Sequence, residues 1–471
     1  MGLILIYDIC HRFQVAQMFY SDAGVLTRDH FLKYIAHPWS FSLLFLNGSL
    51  TFTYIYFFIY FIFTCFFIIG FQTKFSTILL WIFTVSSHDR NWWVLNAGDD
   101  IFRIYLLICI FLPIGATYSV DSLKKKSNPP FQVSNLWSFS YFFQLAIIYF
   151  STYFYKNSPE WKTDFSATEY ALGLDTFLSN FGSIFREVPS VLKGLTIYSI
   201  YGEIICPLLL MFGFVFYRYS IFSKIAAILF GLSFHVGLII MMALGDFPFF
   251  CIGYWLGILP TEFWTYLFKK YPSLSLLLEN KWLSSKLKKL NFIEVKINIK
   301  SNSHKCLKLF RNSVALIFLF SIIQWNLAEF FPKKLEKFEY LRWPARSLHT
   351  FQKWSMFSPY PYSHNEWLSM PSVFENGEVK DVMNYGYKGT DVRPGFKALN
   401  GVNSLTKKFL TVMFEDKEAL EQFAFYNCRK FNLKKNRMKN FSIIRYRQAV
   451  TLKGEPEKNV EKILAWNHDC Y

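Results

Sequence analysis

The chain has 471 residues, 53% of them hydrophobic and 21% aromatic, with 55 Phe and only 18% charged residues. That charged share lies below the ~25% of a soluble average, and the apolar residues gather in runs, which excludes an ordinary water-soluble globule. The formal charge of +17 does not point to nucleic acid. The lysines stand in connections between apolar runs, where membrane orientation needs them and anionic headgroups attract them.

Spanning helices are predicted at about 2–19, 51–71, 75–88, 100–118, 137–156, 193–217, 221–246, 247–268 and 312–331. The strongest is TFTYIYFFIYFIFTCFFIIGF over Thr51–Phe71, uncharged and close to the ~20 residues a helix needs to cross hydrocarbon. The opening run GLILIYDIC is too short to cross alone and lacks the flanks of a cleavable signal peptide. Either its helix extends through His11–Phe19, or part of it lies upstream of the given start. Residues 27–48 read as an interfacial segment. Phe-Pro at 247–248 supplies a break after Asp246.

The basic residues fix the direction of each helix. Connection 269–311 carries Lys269, Lys270, Lys281, Lys286, Lys288, Lys289, Lys296, Lys300, Lys305, Lys308 and Arg311 against only Glu279 and Glu294, so it is assigned to the cytoplasm. Counting back, 218–224 (Arg218, Lys224), 119–136 (Lys124, Lys125, Lys126) and 72–74 (Lys74) share that side. Connections 20–50, 89–99 and 157–192 fall outside. So does the polar tail 332–471, where Asn376-Gly377, Pro359-Tyr360-Pro361 and Gly389 mark turns and alternation in TKKFLTVMFE and NFSIIRYRQAVTL predicts strands. The expected fold is an α-helical polytopic membrane bundle of about 8–9 spanning helices. Residues 1–331 form the membrane domain, and 332–471 a small extracytoplasmic α+β or mostly-β domain. The eight cysteines are scattered singly, which supports neither a zinc site nor a disulfide framework.

Ionisable residues inside spanning helices are costly and usually face the bundle interior. Glu203 and His235 both fall ~16 Å below the outer surface, on sequential antiparallel helices, so they could meet. Lys156 closes QLAIIYFSTYFYK at the outer face. Asp99, Asp100 and Arg103 open a helix at the same level, with Asp246 nearby. Together these groups could line an outward-facing polar cavity. Each also has a plainer reading. A terminal Lys snorkels, a Glu/His pair can lock two helices, acids suit a first helical turn, and Arg103 can partner Asp99 or Asp100.

Several stretches resemble the HTTM domain, the membrane domain shared with vitamin K-dependent gamma-carboxylases. They are LILIYDICHRF…MFYSDAGVLTRD, SSHDRNWWVLNAGDDIFR, FQLAIIYFSTYFYKNSPEW, GEIICPLLL, FHVGLIIMMALGDFPF, QKWSMFSPYP and FYNCRKFN. The resemblance covers nearly the whole chain and fits a bacterial-type member. It implies a base at Lys156, five residues before Trp161, that deprotonates reduced vitamin K or another lipid quinol. O2 and CO2 would be co-substrates and peptidyl glutamate the acceptor. His235 matches a His of that family. Tyr155 stands where the carboxylases carry a second Lys.

The reading that results is a quinol-dependent enzyme in the bacterial cytoplasmic (inner) membrane that modifies a secreted polypeptide. Its catalytic residues would be Lys156, Glu203 and His235. Asp99, Asp100, Arg103 and Trp161 would contact substrate, and no metal is expected. The alternative is a non-catalytic membrane partner in maturation or export of a secreted peptide or lipoprotein. A transporter is disfavoured, because no repeated halves are seen and intramembrane charges are few.

Overall fold

The computed structural model describes residues 1–124, 135–216, 220–272, 301–332, 340–383, 391–432 and 436–470. Lys125, Lys126, Arg218, Gly389 and the basic stretch 273–300 lie outside the described residues.

The Phe/Tyr/Ile-rich runs form helices because nothing in them competes for backbone hydrogen bonds in an apolar setting. The principal helices are α1 (Gly2–Gln14), α2 (Leu50–Ile69), α3 (Thr73–Arg90), α4 (Ala97–Phe111), α5 (Leu136–Tyr155), α6 (Pro189–Val215), α7 (Ser220–Met241), α8 (Phe247–Leu256), α9 (Thr261–Lys270) and α10 (Ser301–Phe330). Four stretches among the described residues are long and apolar enough to cross a membrane: Leu50–Ile69, Pro189–Gly213, Ile221–Met241 and Lys305–Phe330. Helix α3 is more polar. Its Thr73, Ser76, Thr77, Thr84, Ser86 and Ser87 are buried, and small polar side chains of this kind let helices approach closely.

One expected span is broken. Instead of a continuous helix over 247–268, α8 ends at Leu256 and α9 starts at Thr261. Pro260 precedes the second piece, and a proline pushes the residue before it out of helical conformation. At 1.5 Å per residue, the ten residues of α8 reach only about halfway through a bilayer. Helix α9 leaves Phe263, Trp264 and Tyr266 exposed and ends in Lys269 and Lys270, the make-up of a helix lying along an interface.

The tail folds as an α+β unit. Its strands are β1 (His364–Ser369), β2 (Pro371–Phe374), β3 (Val379–Asp381), β4 (Met438–Ala449) and β5 (Val460–Asp469), with helices α11 (Ser404–Val412) and α12 (Lys417–Asn432). β4 organises the antiparallel sheet. β1 and β2 follow one another along one edge of it, β5 takes the other edge, and β3 pairs with β2. The predicted turn at Asn376-Gly377 joins β2 to β3, with Gly377 at φ 81°. NFSIIRYRQAVTL lies largely in β4, as expected. TKKFLTVMFE does not form a strand, because it belongs mostly to α11, whose buried Leu405, Thr406, Phe409 and Leu410 keep helical spacing.

The cysteine reading is also corrected. Cys428 of α12 and Cys470 beyond β5 form a disulfide across 42 residues of sequence. It joins two elements that only the folded sheet brings together.

The tail packs on one end of the bundle and touches all three connections read as sharing its side. Arg429 donates to the Gly24 carbonyl at 2.6 Å, and Trp93 Nε1 donates to Asp416 at 2.9 Å. Arg393 pairs with Asp175 at 2.6 Å. At the opposite end, the amides of Gln72 and Thr73 donate to Asp121 at 2.9 and 2.7 Å, and Trp137 Nε1 donates to the Arg311 carbonyl at 3.1 Å. Among the described residues, the parts of 72–74, 119–136 and 269–311 that are seen therefore lie at one end of the bundle, and the three connections that touch the tail lie at the other.

Burial pushes the Lys407 ammonium of α11 down to about 8. An unfolded lysine keeps its proton to about 10.4, so the unfolded chain binds more protons between these values and stability should rise with pH across that window. Lys407→Met should stabilise the protein at pH 7 by on the order of 2 kcal/mol and flatten that rise, as read by thermal unfolding in detergent from pH 7 to 10.5.

Candidate functional site

Lys156 follows the last residue of α5 and caps it, with φ −81° and ψ 75° ending the helical turn. A short helix from Pro159 to Lys162 then folds the chain back. This places the Trp161 ring 4.2 Å from the Lys156 ammonium, within cation–π range. Glu203 of α6 supplies the counter-ion, with Oε1 2.5 Å from Nζ. Both side chains are almost fully buried, at 7% and 4% exposure. Pro207 lies inside α6. Lacking an N–H, it frees the backbone carbonyl of Glu203 four residues earlier. The Thr152 hydroxyl is already donated to the Tyr149 carbonyl at 2.9 Å, and Glu203 Oε2 has no hydrogen-bond partner.

His235 does not meet Glu203. Its Nε2 lies 2.8 Å from the Tyr149 hydroxyl, whose oxygen accepts from Trp255 Nε1 of α8 at 2.6 Å. Tyr149 precedes Lys156 by two helical turns, so the two side chains leave α5 on nearly the same face. Glu203 and His235 were expected to meet because the sequence sets them at equal depth. Depth alone does not fix the direction in which a side chain leaves its helix.

Asp99, Asp100 and Arg103 bond elsewhere. Arg12 donates to Asp99 and pairs with Asp8 at 2.8 Å, while His88 Nε2 lies 3.2 Å from Asp99. Asp99 Oδ2 also accepts from the Asn96 amide at 2.7 Å, completing a capping box. Asp246 precedes α8 and acts electrostatically on this group. Arg103 pairs with Asp100 at 2.7 Å and donates to the carbonyls of His349 and Phe351, both at 2.7 Å. Its guanidinium lies over the Phe351 ring. These three residues are structural anchors in the described protein, with no bond to Lys156, Glu203 or Trp161.

The segment after α10 links the two clusters. Arg103 holds it at His349, and Trp161 Nε1 holds it at the Phe357 carbonyl, at 2.9 Å. Between them Gln144 of α5 donates to Gln352 at 2.6 Å, Trp325 donates to the Gln352 carbonyl at 2.8 Å, and Thr350 lies 2.9 Å from Ser321. Sequence reasoning did not single out Asp8, Arg12, Tyr149, Trp255 or Gln352. Asp8 and Arg12 were findable, since an acid and a base four apart in an apolar helix make a natural pair.

Among the described residues no group of three His, Cys, Asp or Glu side chains is placed to hold a metal ion. Comparison with family models, curated proteins and solved structures returned no match.

Chemically, Lys156 and Glu203 form a dyad that can pass one proton between amine and carboxylate. Removing one partner strands the other. Lys156→Met should therefore destabilise the protein by about 3–5 kcal/mol, while Lys156→Met/Glu203→Leu should recover most of that loss. Thermal unfolding of the two purified variants checks both.

Proposed function

We propose that this chain is a multi-pass membrane enzyme of the vitamin K-dependent gamma-carboxylase type, built on an HTTM-like domain, with Lys156 as its base. The observation that carries this reading is the buried Lys156 amine held between Glu203 and the Trp161 ring. Glu203 is placed to take the proton that Lys156 must lose before its amine can accept one from a substrate. A reduced lipid quinol would supply the reducing chemistry, entering from the bilayer toward Lys156, Tyr149 and His235. CO2, O2 and a secreted polypeptide complete the proposed reactants. The donors and aromatic walls at that place suit a flat apolar ring bearing oxygens.

The proposed placement is the bacterial cytoplasmic membrane, with eight or nine passes and the tail domain outside. The shorter and more polar helices would be interior members of the bundle. The lysine-rich connections support the direction. So does the Cys428–Cys470 disulfide, a bond that persists in oxidising compartments. The tail domain, seated beside Trp161, would present the polypeptide.

Lys156→Arg separates catalysis from architecture, since arginine keeps the charge and the pairing but does not deprotonate. In nanodiscs supplied with reduced vitamin K and labelled CO2, Lys156→Arg and Lys156→Ala should lose at least 100-fold in quinol oxidation and product, a conservative loss for a missing base of ~10²–10⁴. Lys156→Arg should also keep its melting temperature. Turnover unchanged in Lys156→Arg rejects the assignment.

A non-catalytic role in maturation or export of a secreted peptide or lipoprotein is the second reading. It is favoured by the full engagement of Lys156, Asp99, Asp100 and Arg103 in structural bonds. On that reading the double variant Lys156→Met/Glu203→Leu, once folded, should crosslink to its partner as the native chain does.

A further inference from the structure

The hydrogen-bond chain below Lys156 has a direction. Trp255 Nε1 can only donate, and it donates to the Tyr149 oxygen. The hydrogen of Tyr149 has His235 Nε2 as its acceptor, 2.8 Å away. Were His235 Nε2 to donate instead, the tyrosine oxygen would accept twice and its own hydrogen would lack an acceptor in a buried site. Pairing both the Tyr149 oxygen and its hydrogen makes Nε2 the acceptor and leaves the ring proton on Nδ1, the one group of this hydrogen-bond chain left to be met.

His235 Nδ1 is buried and has no hydrogen-bond partner. The rings against His235 are Tyr149, whose hydroxyl is already used, and Phe234 and Phe247. None offers an oxygen acceptor. A donor fixed this firmly in an apolar interior is costly unless something supplies the missing acceptor. The complement of such a site is an oxygen acceptor carried on a flat apolar body.

Resting on the quinol reading above, we infer that His235 Nδ1–H donates a hydrogen bond to a ring oxygen of the bound lipid quinone or quinol. Tyr149 is then a positioning residue that fixes the His235 tautomer, and Trp255 fixes Tyr149. This assigns His235 the holding of the ring, while proton removal stays with Lys156 and Glu203.

Infrared spectroscopy reads this bond directly. The full chain in nanodiscs is loaded with phylloquinone ¹³C-labelled at its ring carbonyls. One carbonyl stretch should be lowered relative to the quinone in empty nanodiscs. His235→Phe should abolish the lowering, while His235→Asn, whose amide can donate from a similar position, should keep part of it. Tyr149→Phe leaves Trp255 Nε1 without its acceptor and should lower the melting temperature; in the folded variant the carbonyl lowering should shrink, since a freed tautomer no longer presents a fixed donor. An unshifted carbonyl in the quinone-bound native protein, or a full shift in His235→Phe, overturns this inference and leaves the Lys156 assignment standing. Failure of the native protein to take up the quinone at all removes both.

Discussion

A charge taken out of water must find its counter-charge inside the protein, and the arrangement of this bundle follows from that requirement. Helices α1, α3 and α4 share the Asp8–Arg12–Asp99–His88 group. Helices α5 and α6 share Lys156–Glu203. The segment after α10 is fastened through Arg103, which donates to two of its backbone carbonyls. Apolar side chains alone give little preference for one helix neighbour over another in lipid, because lipid tails are as apolar as leucine. The buried ions and hydrogen bonds supply that preference, so they set which helices adjoin.

Much of this fold is legible in the sequence. Long apolar runs become helices because hydrocarbon leaves the backbone no other partners. That signal is local and strong, and it is read without knowing which helices adjoin. The failures have a common cause. TKKFLTVMFE alternates well enough to suggest a strand, but its tertiary partners cover a helical stripe. The 247–268 run is apolar but for Thr261, Glu262 and Thr265, yet four residues ending in Pro260 stop the helix. Cys428 and Cys470 meet only because α12 crosses the sheet, and nothing in their spacing announces it.

The site was partly legible for the same reason. The four residues between Lys156 and Trp161 suffice to turn the chain and lay an indole on an ammonium, a local event. The meeting of Glu203 with Lys156 and of His235 with Tyr149 depends on the rotation of α6 and α7 about their axes. Hydropathy is silent on that rotation when a helix is apolar all round. Asp99, Asp100 and Arg103 bond within the chain, and a buried ion looks the same in sequence whether it holds a substrate or a neighbouring stretch of chain.

The two clusters are joined by a segment under local backbone strain. His349 and Phe357 adopt positive φ, 51° and 54°, a region that costs a residue with a side chain roughly 1–2 kcal/mol. Their carbonyls are the ones that Arg103 and Trp161 hold. The anchors therefore sit where the chain would otherwise relax. Strain persists only where surrounding contacts over-determine it, and here Arg103 over-determines one end and Trp161 the other. Trp161 is also the ring that covers Lys156. The segment leads directly into β1 of the tail domain, so a shift of that domain pulls on the indole above the amine.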